Sequence, residues 1–485
     1  MIDRDGVRDA ARYLRNVRPI DPEELAEYVE GDPHPAVVAR TLREEAVDLG
    51  LIEREDGTFV PVPDEPLRPE FEAVTAFPER YGRRLEDLLV ETYGPDWHRG
   101  DSGDGLRERL REVKAAYLDG DPVEYDRQTA LAYAIYHLPD YYAAVQYPLA
   151  ELTRAGLLDR HLRVVDVGAG VGGPALGLFD HLPDDALVDY HAVEPSAAAD
   201  VLAAMLEETG RNVHATVHRE TAEVVDFGGL AGGDGDADDD GGDVDLFLFG
   251  NVLSELADPE TVLRRALDHL APDGTVLALS PADRETSLGL RRIERAVAGY
   301  VPDEAAATAE TSVYAPTVRL WPGWRPTDDP WSFDVRPDIA VPPVQERLDG
   351  PAGSEGEFVN VDVQFSHSLL RVDGRRKFDV TPSAERYAPL ADSDDHVTDR
   401  VDVLVVKLSR DLADGGNPVF CVGDGSQSTN HFAVLTRETA LNRTLATAEY
   451  GALLSVESAL VLWNDDEEAY NLVVDDETVV DLVGE

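Results

Sequence analysis

The sequence predicts an α/β protein built on a doubly wound sheet, and two observations carry that expectation. Residues Arg163–Glu194 read RVVDVGAGVGGPALGLFDHLPDDALVDYHAVE: an apolar strand, a glycine turn, a helix and a second apolar strand ending in an acid. Further strands follow. Asn212–Val217 is short and apolar, and Asp243–Phe249 is nearly continuous, as strands buried on both faces are. Gly274–Leu279 comes after a helix over Pro259–Leu270. Five strands joined by crossovers form a doubly wound sheet. The run Ala231–Asp243 (AGGDGDADDDGGD) cannot build a core and reads as a flexible surface insertion.

The turn Gly168-Ala169-Gly170-Val171-Gly172-Gly173 meets three needs of a ligand loop: φ freedom where strand meets helix, close backbone approach, and amides free at a helix start. It lacks the GxxxxGK[ST] pattern of a phosphate loop. Asp166 ends the first strand and Glu194 the second, so two carboxylates flank the turn. Glu194 suits both hydroxyls of a ribose, and Asp166 suits a cationic or amino group. Two nearby acids repel a pyrophosphate. They fit S-adenosylmethionine, with Gly168, Gly170 and Gly172 seating its methionine part. A nicotinamide or flavin is the rival ligand, and a purely structural turn is the other alternative.

The fourth strand runs out into Gly250-Asn251-Val252-Leu253-Ser254-Glu255-Leu256, on the switch-point side where such sheets bind ligands. Asn251 and Glu255 are the candidates to face a methyl donor or acceptor, and Asn251 also belongs to the cofactor set. The loop lacks the two prolines and the aromatic of the exocyclic-amine arrangement. Cys421 is placed in a distal barrel, so it does not suit the nucleophile of base C5 methylation. No catalytic base is identifiable from the sequence.

The formal charge is -54, from 43 basic and 97 acidic residues, with a pI near 4.3. Such a surface repels itself at low salt and is relieved where the screening length falls to roughly 3 Å, at 1 M. The expectation is a salt-adapted protein of a high-salt cytoplasm. A hydrophobic content of 43% still leaves a folded core, and local basic patches keep RNA binding open. A chain of 485 residues exceeds one core. There is no apolar run of about 18 residues and no leader, so neither a membrane span nor a secretory signal is expected. One cysteine excludes an internal disulfide framework. The oligomeric state is not legible.

At the N-terminus, helices over Asp21–Tyr28 and Pro35–Leu49 precede a hairpin with an Asp-Gly turn over Gly50–Pro61. That order resembles a winged helix. Arg40 and Arg43 compete there with Glu44, Glu45 and Asp48, which favours a docking or packing module over a DNA reader. Pro61–Pro69 reads as a linker. Helices over Leu106–Leu118 and Arg127–Ala150 lead into the sheet, and Tyr136, Tyr141, Tyr142 and Tyr147 either cover the cofactor cleft or pack beneath the sheet.

The C-terminal hundred residues predict another fold. Strands over Arg400–Leu408, Pro418–Val422, His431–Leu435, Leu453–Trp463 and Tyr470–Val474, with a helix over Glu438–Glu449 after the third, follow the order of an OB barrel. The turn Gly423-Asp424-Gly425-Ser426 resembles the one in nucleic-acid-binding members of that fold. Lys407, Phe420, His431, Phe432 and Arg437 are therefore candidates for RNA contact, with core packing as the alternative for each.

Four segments occur together: Tyr125–Leu152 (YDRQTALAYAIYHLPDYYAAVQYPLAEL), DVGAGVGGP, FGNVLSEL and Val363–Leu370 (VQFSHSLL). In this combination residues 120–372 resemble the methyltransferase-like proteins associated with the mitochondrial ribosomal small subunit, a family with bacterial and archaeal members, and the chain resembles an archaeal one. The resemblance implies a class I methyltransferase fold, attachment to the assembling small ribosomal subunit and its rRNA, and VQFSHSLL as the penultimate strand. It leaves catalysis open, since some members act as assembly factors. The family commonly carries several cysteines after the fifth strand that hold an iron–sulfur cluster or another metal. Here Tyr314–Thr317, Trp321–Trp324 and Trp331–Phe333 contain none. No iron–sulfur cluster and no metal site are expected, with packing by Trp321, Trp324, Trp331 and Phe333 in its place.

The expected architecture is a winged-helix-like module over 1–68, a helical lead-in over 69–160, a class I methyltransferase-like domain over 161–383 and an OB-like barrel over 384–485. The expected function is an S-adenosylmethionine-dependent factor acting on the small ribosomal subunit or its rRNA. A noncatalytic assembly factor binding rRNA is the alternative. A small-molecule methyltransferase is the third class, disfavoured because a small substrate has no need of the terminal barrel.

Overall fold

The computed structural model describes residues 3–67, 71–119, 123–230, 244–302, 309–350, 353 and 356–484. The acid-rich run 231–243 and the end of the expected linker, 68–69, lie outside them. The chain divides into two compact units, Met1–Gly233 with Asp243–Leu248 and Ile339–Val361, and Asp234–Gly242 with Phe249–Asp338 and Asp362–Glu485. These units do not follow the motif-based boundaries.

The first unit opens with α1 (Arg4–Leu14), α2 (Pro22–Ala26), α3 (Pro35–Glu44) and α4 (Ala46–Leu49), then the hairpin β1 (Leu51–Glu53) and β2 (Phe59–Pro61). Asp3 and Asp21 cap α1 and α2 through their carboxylates, and Gly50 ends α4 in the left-handed region at φ 58°. Ile20, outside both strands, bridges Phe59 in antiparallel fashion. Val7, Leu25, Val38, Leu42, Leu51 and Phe59 form the core of this winged-helix-like module. The structure adds α1, which the sequence did not signal. Arg40 pairs with Glu44 at 3.1 Å and Arg43 with Glu53 at 2.5 Å, so both arginines of α3 are held by carboxylates.

Next come α5 (Glu79–Tyr93), α6 (Gly100–Asp119) and α7 (Arg127–Arg154). Pro139 lies inside α7 and cannot donate to the carbonyl of Ile135. Gln345 Nε2, buried, donates to that carbonyl instead at 2.9 Å. Strand β3 (His161–Val167) leads through α8 (Gly173–His181) to β4 (Leu187–Val193), then α9 (Ala198–Leu206), β5 (Val213–His218), α10 (Phe227–Leu230) and β6 (Val244–Gly250). Parallel pairings join β5 to β4, β4 to β3, and β3 to β6 as far as Leu248.

The second unit begins within β6. Its elements are α11 (Pro259–Asp268), β7 (Leu270–Pro281), α12 (Arg284–Val297), β8 (Ser312–Ala315) and β9 (Asp334–Arg336). After α13 (Pro343–Asp349), which belongs to the first unit, comes β10 (Val363–Arg371). β10 runs antiparallel to β7, with Leu369 opposite Leu277, and pairs on its other side with β8 and β9. The strand order is β5-β4-β3-β6-β7-β10-β8. VQFSHSLL is therefore next to the edge in space but last in the chain order of this sheet, where the resemblance implied a penultimate strand. One antiparallel strand inserted between the fifth and the edge, after a parallel run with its first strand central, is the class I methyltransferase topology.

The C-terminal strands are β11 (Arg400–Lys407), β12 (Val419–Gly423), β13 (His431–Leu435), β14 (Leu453–Asn464), β15 (Ala469–Val474) and β16 (Val479–Gly484), with α14 (Thr444–Thr447) after β13. Their order β11-β12-β13-β15-β14 closes through β11–β14 pairing, and β13 runs parallel to β15. This is an OB-like closed barrel. β16 adds to β14 as a sixth strand, and the helix is a single turn rather than the span Glu438–Glu449. Among the described residues, no helix is long and apolar enough to cross a membrane.

Candidate cofactor site

β3 and β4 end in register, with Val167 opposite Val193, which sets the glycine turn beside Glu194. The amides of Gly168 and Ala169 both donate to the Val193 carbonyl, at 2.9 and 3.3 Å. Gly168, Gly170 and Gly172 have φ of 68°, 55° and 94°, where a β-carbon is disfavoured. Beyond that their surroundings differ. A β-carbon on Gly170 would meet nothing nearer than the Gly168 carbonyl at 3.9 Å, whereas one on Gly172 would lie 2.6 Å from Leu202 Cδ1 of α9. Gly172, expected to seat the methionine part, is thus required by helix packing as well. The close approach continues at Gly173, where a β-carbon would stand 2.9 Å from Tyr141 Cβ, so α8 lies directly on α7.

Glu194 is buried. Its Oε2 accepts from the Gly170 amide and its Oε1 from the Ser196 amide, each at 2.9 Å. A carboxylate oxygen has two lone pairs, so Glu194 pins the turn and still has capacity for a ribose. Asp166 is also buried, and its Oδ2 accepts from Tyr190 at 2.7 Å. Its Oδ1 is buried with no hydrogen-bond partner. Burial pushes this carboxyl up to about 7, against the pull of the Tyr190 hydroxyl and with a push from Glu194. An orphaned buried carboxylate oxygen is the acceptor that a cationic ligand satisfies. The residues present therefore fit S-adenosylmethionine.

A pH dependence follows. The folded carboxyl keeps its proton to about 7, whereas the unperturbed value is 3.8. Its contribution to stability is complete below pH 4 and is lost as pH rises through 7. A cationic ligand favours the ionised form, so S-adenosylmethionine affinity should rise between pH 6 and 8. Calorimetry with Asp166→Asn should flatten that rise, and an unchanged slope in the variant would remove Asp166 from the site.

Along α7, Tyr133, His137 and Tyr141 form a stripe at four-residue spacing. Ring centroids are 4.6 Å apart for Tyr133 and His137 and 5.0 Å for His137 stacked on Tyr141. Asp140 Oδ2 lies 3.4 Å from His137 Nδ1 and accepts from Asn360 at 2.9 Å. Of these, Tyr141 was expected from the sequence, whereas Tyr133, His137, Asp140 and Asn360 were not. His137 and Asp140 sit three apart within Tyr125–Leu152, a usable signal, but Asn360 has no local one. Of the four tyrosines singled out, Tyr141 stands at the glycine turn. Tyr142 donates to Asp180 at 2.8 Å, Tyr147 packs on Phe71, and the Tyr136 ring carries Lys114 Nζ at 3.9 Å.

Asn251 and Glu255 belong to the second unit. Asn251 has a left-handed φ of 63°, which Asn tolerates better than most residues, and its amide donates to the Leu279 carbonyl at 3.1 Å. Glu255 is exposed.

The barrel candidates are corrected. Lys407 is buried, its Nζ donates to the Ala448 carbonyl at 2.8 Å beyond α14 and lies over the Phe420 ring, and desolvation brings its amine down to about 8. Phe420 is in the barrel core. His431 is buried, bonded at one ring nitrogen to the Thr429 carbonyl and at the other to Ser393, both at 2.8 Å. None of these three presents a surface to RNA. Phe432 is half-buried against the cluster of Leu404, Val406 and Trp321. Arg437 is exposed but pairs with Asp476 at 3.0 Å. The turn Gly423–Ser426 is buried too: Asp424 accepts from Trp321 Nε1 at 2.7 Å, and a β-carbon on Gly425 would lie 2.6 Å from Arg319 Cα. It latches the segment 318–328 rather than facing a nucleic acid. In that segment's neighbourhood Trp321, Trp331 and Phe333 pack, whereas Trp324 is exposed, contrary to the packing role expected of it.

Residues 165–276 match the family described as a methyltransferase domain. Residues 4–55 and 391–483 match the N-terminal domain and the C-terminal domain of a domain of unknown function (DUF8157). No curated protein matches the chain. Similar solved structures include the CurJ carbon methyltransferase, at 16% identity over 58% of this chain and 73% of that one, TM-score 0.26. An O-methyltransferase family protein from Burkholderia thailandensis is 14% identical over 58% and 76%, TM-score 0.26. An arsenic (III) S-adenosylmethionine methyltransferase from Chlamydomonas reinhardtii is 14% identical over 51% and 70%, TM-score 0.24. The strand order and the domain match, not these distant likenesses, define the class: the chain carries a class I methyltransferase-like fold of the S-adenosylmethionine-dependent type. The two flanking matches cover most of the winged-helix-like module and most of the barrel in sequence.

Proposed function

We propose that the protein is an S-adenosylmethionine-dependent methyltransferase acting on the small ribosomal subunit or its rRNA, in a high-salt cytoplasm. The observation that supports methyl transfer best is the glycine turn pinned by Glu194, with the buried, orphaned Asp166 oxygen beneath it. When bound, S-adenosylmethionine supplies an activated methyl group. Glu194 holds the ribose, the Gly170 backbone permits close approach, and Asp166 balances positive charge. The ribosomal assignment rests on the joint occurrence of Tyr125–Leu152, FGNVLSEL and VQFSHSLL. A noncatalytic assembly factor is the second reading, favoured by the loop after β6, which has no Pro-Pro-aromatic acceptor pattern.

Radiolabelled S-adenosylmethionine, supplied at high potassium chloride with immature small subunits from a deletion strain, tests this. Wild type is expected to incorporate label. Gly170→Asp, which brings a third acid to the turn, should lower incorporation about tenfold or more. A further loss in Asn251→Ala would place the acceptor beyond β6. Subunit maturation restored by both variants without incorporation would sink the enzyme in favour of the assembly factor, and absence of any subunit association would sink the ribosomal reading.

A further inference from the structure

We propose that His137, oriented by Asp140, takes the proton from the methyl acceptor, so that the acceptor is a hydroxyl or N–H nucleophile; this rests on the methyl-transfer reading above. The placement comes first. The segment of α7 that carries His137 abuts the end of the glycine turn, because a β-carbon on Gly173 would stand 2.9 Å from Tyr141 Cβ and 3.2 Å from the Leu138 carbonyl. At the other end of the stripe, the Tyr125 carbonyl accepts from the Ala197 amide at 3.2 Å, three residues beyond Glu194, and the Tyr125 ring meets Tyr133 edge-on at 5.3 Å. Tyr125, Tyr133, His137 and Tyr141 thus run between the starts of α8 and α9, the two helices that follow the cofactor strands.

The hydrogen bonds decide the tautomer. Asn360 Nδ2 is 2.9 Å from Asp140 Oδ2 and 3.2 Å from the Tyr136 carbonyl, which accounts for both amide hydrogens. Gln345 holds the Asn360 backbone in place, accepting from its amide at 2.9 Å. His137 Nδ1, 3.4 Å from Asp140, then carries the ring proton toward the carboxylate and leaves the Nε2 lone pair as acceptor. Nε2 makes no hydrogen bond among the described residues, and the side chain is 22% exposed. His431 shows the contrasting structural arrangement, buried and bonded at both nitrogens.

Asp140 supplies the second, independent observation. It is 8% exposed and its Oδ1 is buried with no hydrogen-bond partner. Burial pushes its carboxyl up, while His137 and Asn360 pull it back. A proton arriving on His137 gives that under-satisfied carboxylate a cation to face, which is how a positioned carboxylate strengthens an imidazole base. In the reaction the acceptor–carbon bond forms as the sulfonium carbon–sulfur bond breaks with its electron pair going to sulfur. The acceptor's proton goes to His137 Nε2 and from there to solvent. The products are methylated acceptor, S-adenosylhomocysteine and one proton. The other groups around the imidazole are Tyr133, Tyr136 and Tyr141 on α7 and Asn360 after α13, with Lys114 of α6 over the Tyr136 ring.

Diethyl pyrocarbonate, read residue by residue with peptide mass spectrometry, tests the placement without any acceptor. S-adenosylhomocysteine should slow modification of His137 about tenfold. Asp140→Asn should slow transfer while leaving S-adenosylhomocysteine binding within about twofold of wild type, because the carboxylate that orients the ring is removed. His137→Gln should bind S-adenosylhomocysteine within about twofold of wild type, yet transfer label to immature small subunits at least about 100-fold more slowly. No protection by S-adenosylhomocysteine, full transfer by His137→Gln, or equal losses of binding and transfer would each overturn the proposal. Failure of wild type to bind S-adenosylhomocysteine would instead overturn the methyl-transfer reading itself.

Discussion

Replacing Glu294 with alanine is expected to destabilise the second unit by about 3–5 kcal/mol, the usual cost of removing one partner from a buried ion pair. Glu294, on α12, is 1% exposed and accepts from Arg291 at 2.6 Å, Arg295 at 2.8 Å and Ser368 at 2.7 Å, and from Thr317 as well. Arg295 also reaches Asp328 at 3.1 Å, and Asp328 accepts from Gln427 at 3.0 Å. Without Glu294, the buried Arg291 loses its only carboxylate partner among the described residues. Denaturant unfolding in high potassium chloride measures the effect. Salt screens exposed pairs far more than buried ones, so the loss should persist from low to high salt. A cost under about 1 kcal/mol at every salt concentration would show that water replaces the carboxylate.

Asp424→Ala should have the second large effect, on the order of 3 kcal/mol. Asp424 is fully buried, and its oxygens accept from Trp321 Nε1 at 2.7 Å, the Leu390 amide at 2.9 Å, and the amide and hydroxyl of Ser426 at 2.8 and 2.7 Å. Alanine orphans the indole N–H and the Leu390 amide, each worth about 1–3 kcal/mol when buried unpaired. Thermal unfolding should shift down, and Trp321 fluorescence should report a wetter indole before global unfolding. Unaltered unfolding would mean that segment 318–328 is held by its apolar contacts alone. The same contacts make removal of residues 396–485 disruptive, because Leu404, Val406, Cys421 and Leu453 share one core cluster with Val318, Leu320 and Trp321.

The cofactor turn was legible because its chemistry is local. Near-continuous apolar strands and turn glycines are written into Arg163–Glu194 over a few residues, and Asp166 and Glu194 follow from strand ends. The five barrel strands were legible for the same reason, as was the place, though not the length, of the helix after the third. The RNA-facing set was not. Period-two alternation tells that Phe420 and Cys421 point to opposite sides, but not that both sides are covered. In the structure Phe420 fills the barrel core and Cys421 packs against Val318 and Trp321. An apolar residue facing a second core looks the same in sequence as one facing a ligand.

By itself the sequence determined the doubly wound sheet, the acid-flanked glycine turn, the barrel order and the acidic charge of -54, because each depends on residue type and short spacing. Only the tertiary structure decided that Gly172 answers to Leu202, that the Gly423–Ser426 turn is a buried latch, and that His137 meets an acid held by Asn360. Those contacts join residues separated by 30 to more than 200 positions. Burial and hydrogen-bond partnership are properties of the packed chain, and no local pattern encodes which distant donor arrives.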